Sequence, residues 1–150
     1  MEKAAAVAAV EEVARKAAVQ VAQAGVDATR AGCVSAKAKY TESIRSLRPV
    51  EAGFIIHTKA MDHCCVVLER LSKKRNMSRD DELVGFQADY DLIQTSQRKL
   101  ADDLPKVEAA MIAALSAKDA AHAEWTEAER HESATALALR RLMLSHAPLH

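Results

Sequence analysis

The sequence has few of the residues that build sheets or thick globular cores. Aromatic residues make up 3% of the chain, and the 150 residues include only four glycines and three prolines. Alanine is abundant, so the composition favours long, slenderly packed helices and leaves little room for a sheet. We therefore expect an all-α chain whose residues 1–150 form a single domain.

Charge and cysteine content exclude several classes of protein. Lys plus Arg and Asp plus Glu both number 21, so the bulk charge predicts binding to neither nucleic acid nor a membrane. Three cysteines, two of them adjacent, do not form a disulfide framework and indicate a reducing, cytoplasmic compartment. No stretch reaches the roughly 18 apolar residues that cross a bilayer, and we expect neither a signal peptide nor a transit peptide.

The strongest pattern lies at residues 82–104. Side chains recur there at alternating spacings of three and four residues, which is the period of a coiled-coil seam. The members are Leu83, Phe86, Tyr90, Ile93, Gln97, Leu100 and Leu104. Gln97 is the one polar member, which is typical of a register device rather than a reaction centre. The stretch predicts a helix that needs partner helices.

Two prolines divide the rest of the helical pattern. Pro49 and Pro105 predict helix starts, because proline disfavours helix in the residue before it and suits a first helical turn. We predict three antiparallel helices, at about 3–47, 50–103 and 105–145, in a coiled-coil bundle.

Each predicted helix has a candidate packing side. The first has small residues: Ala14, Ala17, Ala24, Ala28, Ala31, Ser35 and Ala38, followed by the heavier Tyr40, Ile44 and Leu47. The second has Val50, Phe54, His57, Met61, Cys64, Leu68 and Leu71. The third has Val107, Met111, Leu115, His122, Trp125, Leu139 and Leu142.

The segment 73–81 has two interpretations. Ser78 and Asp81 could cap a new helix, which would give a four-helix up-down bundle that turns at Asn76. Such a bundle would suit a soluble adaptor or a chaperone that binds a partner protein. The segment holds no glycine or proline, so an unbroken helix is equally compatible. Its basic residues either form a solvent-exposed face or contact anionic lipid. They are Lys73, Lys74, Arg75 and Arg79.

Reactive side chains form no complete site. His57, Met61, Cys64 and Cys65 share a helix face that a soft metal could use, but their positions favour core packing. Asp119 and His122 have a di-metal spacing without its companion residues. We predict no metal, no cofactor, no catalytic residue and no enzymatic activity.

A third functional interpretation comes from a short motif. His57-Thr58-Lys59 resembles the phosphoacceptor helix of histidine phosphotransfer proteins, although the lysine lies two rather than three residues after the histidine. A histidine that packs in the core explains the same residues.

A wider pattern resembles one known family. Residues 40–47, with an aromatic, a small residue, an aliphatic and a leucine at set offsets, resemble the end of the first long helix in the BAR domains of sorting nexins. Arg30 and Glu51 match flanking basic and acidic positions, and Asp89-Tyr90 matches a later Asp-Tyr pair of that family. The resemblance covers about residues 30–100.

The resemblance implies a three-helix antiparallel coiled coil that dimerises and acts in protein sorting on endosomal membranes. It implies an unbroken helix through 73–81 and a lipid-facing role for Lys73, Lys74, Arg75 and Arg79. Partners would be a second copy or a related coiled-coil protein, with peripheral contact to an anionic membrane. Together with the seams, it predicts these dimer and core residues: Tyr40, Ile44, Leu47, Phe54, Met61, Leu68, Phe86, Tyr90 and Ile93.

Overall fold

The computed structural model of the chain describes residues 2–77 and 83–145, and both ranges are helical throughout. Helix α1 covers Glu2–Met77 and helix α2 covers Leu83–Ser145. Within these ranges there is neither a strand nor a third helix. The all-α prediction is therefore confirmed, and the fold is a helical hairpin.

The predicted division into three helices is wrong, and so is the four-helix alternative. Pro49 lies inside α1 and Pro105 lies inside α2. A proline in a helix interior costs about 3 kcal/mol, because it removes a hydrogen bond and crowds the carbonyl four residues earlier. Packing offsets this cost at Pro49, since Leu47 beside it is one of the few buried residues of the described chain.

The spacing of the covered side chains explains why the prolines do not divide the helices. Along α1, buried and half-buried residues recur at alternating steps of four and three from Arg15 to Leu71, with no change of phase at Pro49. Along α2 the same alternation runs from Leu83 to Leu142, through Pro105. A stripe that keeps its heptad phase stays on one side of a continuous helix. We call these two stripes the seam.

The helix ends decide part of the question about residues 73–81. Residues 73–77 are the last turn of α1, so Asn76 is helical and is not the apex of a turn. A single helix over 50–103 is wrong, because α1 ends at Met77 and α2 begins at Leu83. The predicted capping pair, Ser78 and Asp81, lies outside the described residues.

The chain forms two compact units. The terminal unit comprises Met1–Glu42 and Asp119–His150, and the middle unit comprises Ser43–Lys118. Each unit contains a part of α1 and a part of α2. In the middle unit the two parts are antiparallel, since His57 contacts Leu100 while Cys65, later in α1, contacts Gln97, earlier in α2.

The terminal unit has the same antiparallel arrangement. The hydroxyls of Thr29 and Thr135 lie 2.8 Å apart. Tyr40, eleven residues later in α1, stacks near Trp125, ten residues earlier in α2. The core of this unit is thin, and its buried residues in the described part are Val26 and Ala36.

Candidate functional site

The residues predicted for a dimer core lie along or beside the seam. Leu47 is buried, with 7% of its surface exposed. The others are half-buried: Tyr40, Ile44, Phe54, Met61, Leu68, Phe86, Tyr90 and Ile93. The hairpin's own helices therefore cover part of each side chain, and a further role in a dimer core remains a prediction.

Aromatic rings from both helices form a cluster in the terminal unit, and their contacts were not predicted from the sequence. The ring centroids of Tyr40 and Trp125 lie 5.4 Å apart, and His122 meets Tyr40 edge-on at 5.3 Å. The Nζ atom of Lys37 lies 5.8 Å from the Trp125 ring centre, within range of a cation–π contact. Tyr40 and Trp125 are both seam positions, so the heptad phase could have placed each of them on the seam, although it does not give the register that pairs them.

The predicted packing sides of the first and third helices are partly wrong. The small residues from Ala14 to Ala38 that were assigned to packing are all exposed. The seam instead uses the opposite side of the helix, where Val26 and Ala36 are buried. In α2, Leu115 and His122 lie one position off the seam and are exposed, whereas Ala114 and Ala121 are half-buried.

Cys33 is a half-buried seam thiol in the terminal unit. Partial burial raises its pKa above the ordinary value of 9.0, and a hydrogen bond and the negative charge of Glu132 raise it further. Glu129 adds to the effect, and a hydrogen bond with Trp125 opposes it. The thiol is therefore held protonated, the opposite of an activated cysteine nucleophile.

The candidate histidine and cysteine cluster of the middle unit faces α2 in part. Nε2 of His57 lies 2.6 Å from the carbonyl oxygen of Leu100, so the ring is engaged by the backbone. The amide of Gln97 donates to the sulfur of Cys65 at 3.2 Å, and Cys64 is buried. Over residues 2–77 and 83–145, no three His, Cys, Asp or Glu side chains are grouped to hold a metal ion.

Charged side chains add contacts between the helices of the terminal unit. Arg30 reaches Glu132 at 3.4 Å and Lys39 reaches Glu124 at 3.7 Å. These pairs are largely solvent-exposed, and such pairs contribute about 0–1 kcal/mol each. They help to fix the register of α1 on α2 rather than to stabilise the fold strongly.

The predicted lipid-binding residues lie at the end of α1. Lys73, Lys74 and Arg75 are all exposed, and Lys73 forms an ion pair of 3.3 Å with Glu69 one turn earlier. Arg79 lies outside the described residues. Within the ranges that the structure describes, no helix offers an apolar stretch long enough to cross a bilayer.

The hairpin leaves much apolar surface uncovered. Large apolar side chains of both described ranges are exposed, among them Ile56 at 68% and Val84 at 77%. In the described residues only Val26, Ala36, Leu47 and Cys64 are buried, and no large side chain is fully buried. Two helices alone do not enclose a core.

Comparisons with known proteins found no match among family models, curated proteins or solved structures.

Proposed function

We propose that the chain is a non-catalytic helical hairpin that acts by associating with further helices. One observation carries this proposal: the aromatic side chains lie on or beside the seam, yet none of them is buried. Burial of apolar surface contributes about 25 cal/mol per Å², so covering these side chains with additional helices is favourable. A pair of hairpins that shared the seam would enclose such a core.

Association predicts that thermal stability depends on chain concentration. A partner that binds only the folded state raises the midpoint of unfolding by mass action. We expect the Tm followed by circular dichroism at 222 nm to rise measurably when the chain concentration is raised about 100-fold. A Tm that stays constant over this range would contradict association between copies of the chain.

A more specific role remains part of the proposal: a BAR-like module in endosomal membrane trafficking and protein sorting. It is supported by the resemblance around residues 40–47 and by the exposed basic residues Lys73, Lys74 and Arg75. The three-helix fold that the resemblance implied is absent from the described chain. The trafficking role therefore depends on the motifs and on the basic residues.

Liposome co-sedimentation tests the membrane part of this role. Each basic residue near an anionic surface contributes about 1 kcal/mol, so changing Lys73, Lys74 and Arg75 to Glu should release the protein from phosphatidylserine vesicles at low salt. The control changes the exposed Arg98, Lys99 and Lys106 to Glu, which alters the net charge equally. Absence of binding by the wild type would favour a soluble adaptor or chaperone that binds a partner protein.

Phosphotransfer through His57 has less support. Its Nε2 atom is engaged by the Leu100 carbonyl, and the side chain is half-buried. Labelling by a small-molecule phosphodonor, lost in His57→Gln and kept in His63→Gln, would be needed to restore this interpretation.

A further inference from the structure

The face of α1 opposite the seam is apolar over most of the terminal unit. From Ala6 to Ala38 its members recur at heptad spacing, and every one of them is exposed. They are Ala6, Val7, Val10, Val13, Ala14, Ala17, Gln20, Val21, Ala24, Asp27, Ala28, Ala31, Val34, Ser35 and Ala38. We call this set the outer face. Asp27 is its one charged member.

The outer face contains large side chains that α2 does not cover. Its five valines are 56–74% exposed. An antiparallel hairpin of two helices covers one side of each helix. A helix with two opposite apolar sides therefore leaves one of them exposed. Gly25 and Gly32 lie between the seam and the outer face, and no atom beyond the adjacent residues and the helix's own backbone lies within 4 Å of a Cβ built at either position. Each glycine costs about 1 kcal/mol in a helix, and packing within the chain does not explain either of them.

We propose that a second copy of this chain covers the outer face, with the two α1 helices antiparallel. The inference rests on the proposed function, that the hairpin acts by helix association, and adds a second associating face of α1, separate from the seam, with its partner and the direction of the two helices.

The distribution of side-chain size along the outer face favours the antiparallel direction. Val7, Val10, Val13 and Val21 occupy its first half, whereas the second half is mostly Ala and Ser. Parallel pairing would set valine against valine in one half and leave a gap in the other. Antiparallel pairing sets the bulky half of each copy against the small half of its partner, which gives even packing.

One register matches every feature of the face. When paired residue numbers sum to 45, Val7 meets Ala38, Val10 meets Ser35, Ala14 meets Ala31, Ala17 meets Ala28 and Val21 meets Ala24 of the second copy. On one flank, where paired residue numbers sum to 47, Val13 meets Val34 and Gln20 meets Asp27, which also accepts a hydrogen bond from Gln23 of its own helix. On the other flank, where paired residue numbers sum to 43, Ala18 meets Gly25 near the twofold axis, and these small residues allow the helices to approach closely.

The area of the outer face indicates a weak dimer that depends on chain concentration. The outer face extends over about 46 Å at 1.5 Å per residue and is about 10 Å wide. Two copies would together cover on the order of 900–1,000 Å², which is below the roughly 1,200 Å² of stable specific interfaces and is the size of a weak, concentration-dependent dimer. Such an interface is isologous and closes as a dimer, so it does not propagate into a filament.

Cross-linking of full-length variants tests both the face and the direction. In a background with Cys33, Cys64 and Cys65 changed to Ser, with helicity checked by circular dichroism, Ala14→Cys and Ala31→Cys variants are mixed and oxidised. We expect a disulfide-linked dimer in the mixture and little in Ala14→Cys alone, because its two sulfurs would lie about 25 Å apart. Gln23→Cys is the control, since it lies level with the axis on another side of the helix.

Sedimentation of variants with the native cysteines distinguishes this inference from the proposed function. Ala24→Glu should weaken the dimer by about 10-fold or more, whereas the matched Ala9→Glu, at an exposed position outside the face, should change its Kd by less than about 3-fold. A dimer that cross-links in Ala14→Cys alone, or that ignores Ala24→Glu, overturns the antiparallel outer-face contact but leaves association standing. A monomer overturns both and leaves a helix of another protein as the occupant.

Discussion

The middle and terminal units share one heptad spacing and differ in the size of the side chains that occupy it. The seam of the middle unit holds Leu47, Phe54, Met61, Phe86 and Tyr90. That of the terminal unit is mainly Ala, Val and Thr, and its large apolar members are fewer and more widely spaced: Tyr40, Trp125, Leu139 and Leu142. Spacing decides which side of each helix is covered, whereas side-chain volume decides how much stability follows. We therefore expect the middle unit to contribute most of the stability.

The largest expected effect tests this difference in stability. Leu47→Ala removes a buried side chain of the middle unit and should lower the free energy of unfolding by about 2–4 kcal/mol. Val26→Ala, at a site of the terminal unit that is only 3% exposed, removes less volume and should cost about 1 kcal/mol. Chemical denaturation measures both values. Ile56→Ala, at a 68% exposed site, is the control and should change stability by less than about 0.5 kcal/mol.

A smaller effect of opposite sign concerns the prolines of the middle unit. Because Pro49 and Pro105 lie inside continuous helices, Pro→Ala at either position should restore a backbone hydrogen bond. We expect stabilisation of about 1–2 kcal/mol, since greater freedom of the unfolded chain offsets part of the gain. A loss of stability on both substitutions would show that the prolines act as helix starts.

The aromatic cluster of the terminal unit should be coupled more weakly. A double-mutant cycle with Tyr40→Ala and Trp125→Ala should give an interaction energy of about 0.5–1.5 kcal/mol. A matched cycle with Tyr40→Ala and the distant Leu139→Ala should be additive. An interaction energy that is equally large in both cycles would indicate that the substitutions unfold the terminal unit as a whole, and would contradict a specific contact between the two rings.

The smallest effect separates the cysteines. Only the thiolate reacts with iodoacetamide, so the raised pKa of Cys33 should shift its rate profile to pH above 9.0, while the exposed Cys65 reacts first. Since folding keeps Cys33 protonated, its contribution to stability is complete below pH 9.0 and is lost as the pH rises through the folded pKa. Mass spectrometry of timed samples gives the order. Equal rates for the two residues in the folded protein would contradict the placement of Cys33.

Much of the fold could be predicted from the sequence. The wrong division into three helices had one source, the weight given to the two prolines. The helix content and the seam at 83–104 follow from composition and period. Leu47 and Val50 are three residues apart, so the heptad phase already continued across Pro49. The local rule for proline concerns a few backbone atoms, whereas a seam sums burial over many turns and outweighs it.

The candidate site was less predictable for a related reason. The helix predicted at 3–47 carries two apolar stripes, the seam and the outer face. The small residues of the outer face look as suitable for packing as the residues of the seam. Choosing between them requires the partner helix, whose register depends on where the chain reverses. The pairing of Tyr40 with Trp125 depends on the same register. Their individual positions could be predicted, but the contact between them could not.

The solution mass tests the central claim most directly. Sedimentation equilibrium over about 1–100 μM chain should give a mass of at least twice 16.3 kDa at the upper concentrations, decreasing on dilution. A mass of 16.3 kDa at every concentration would contradict the claim that a hairpin with so thin a core is completed by helices from a second copy.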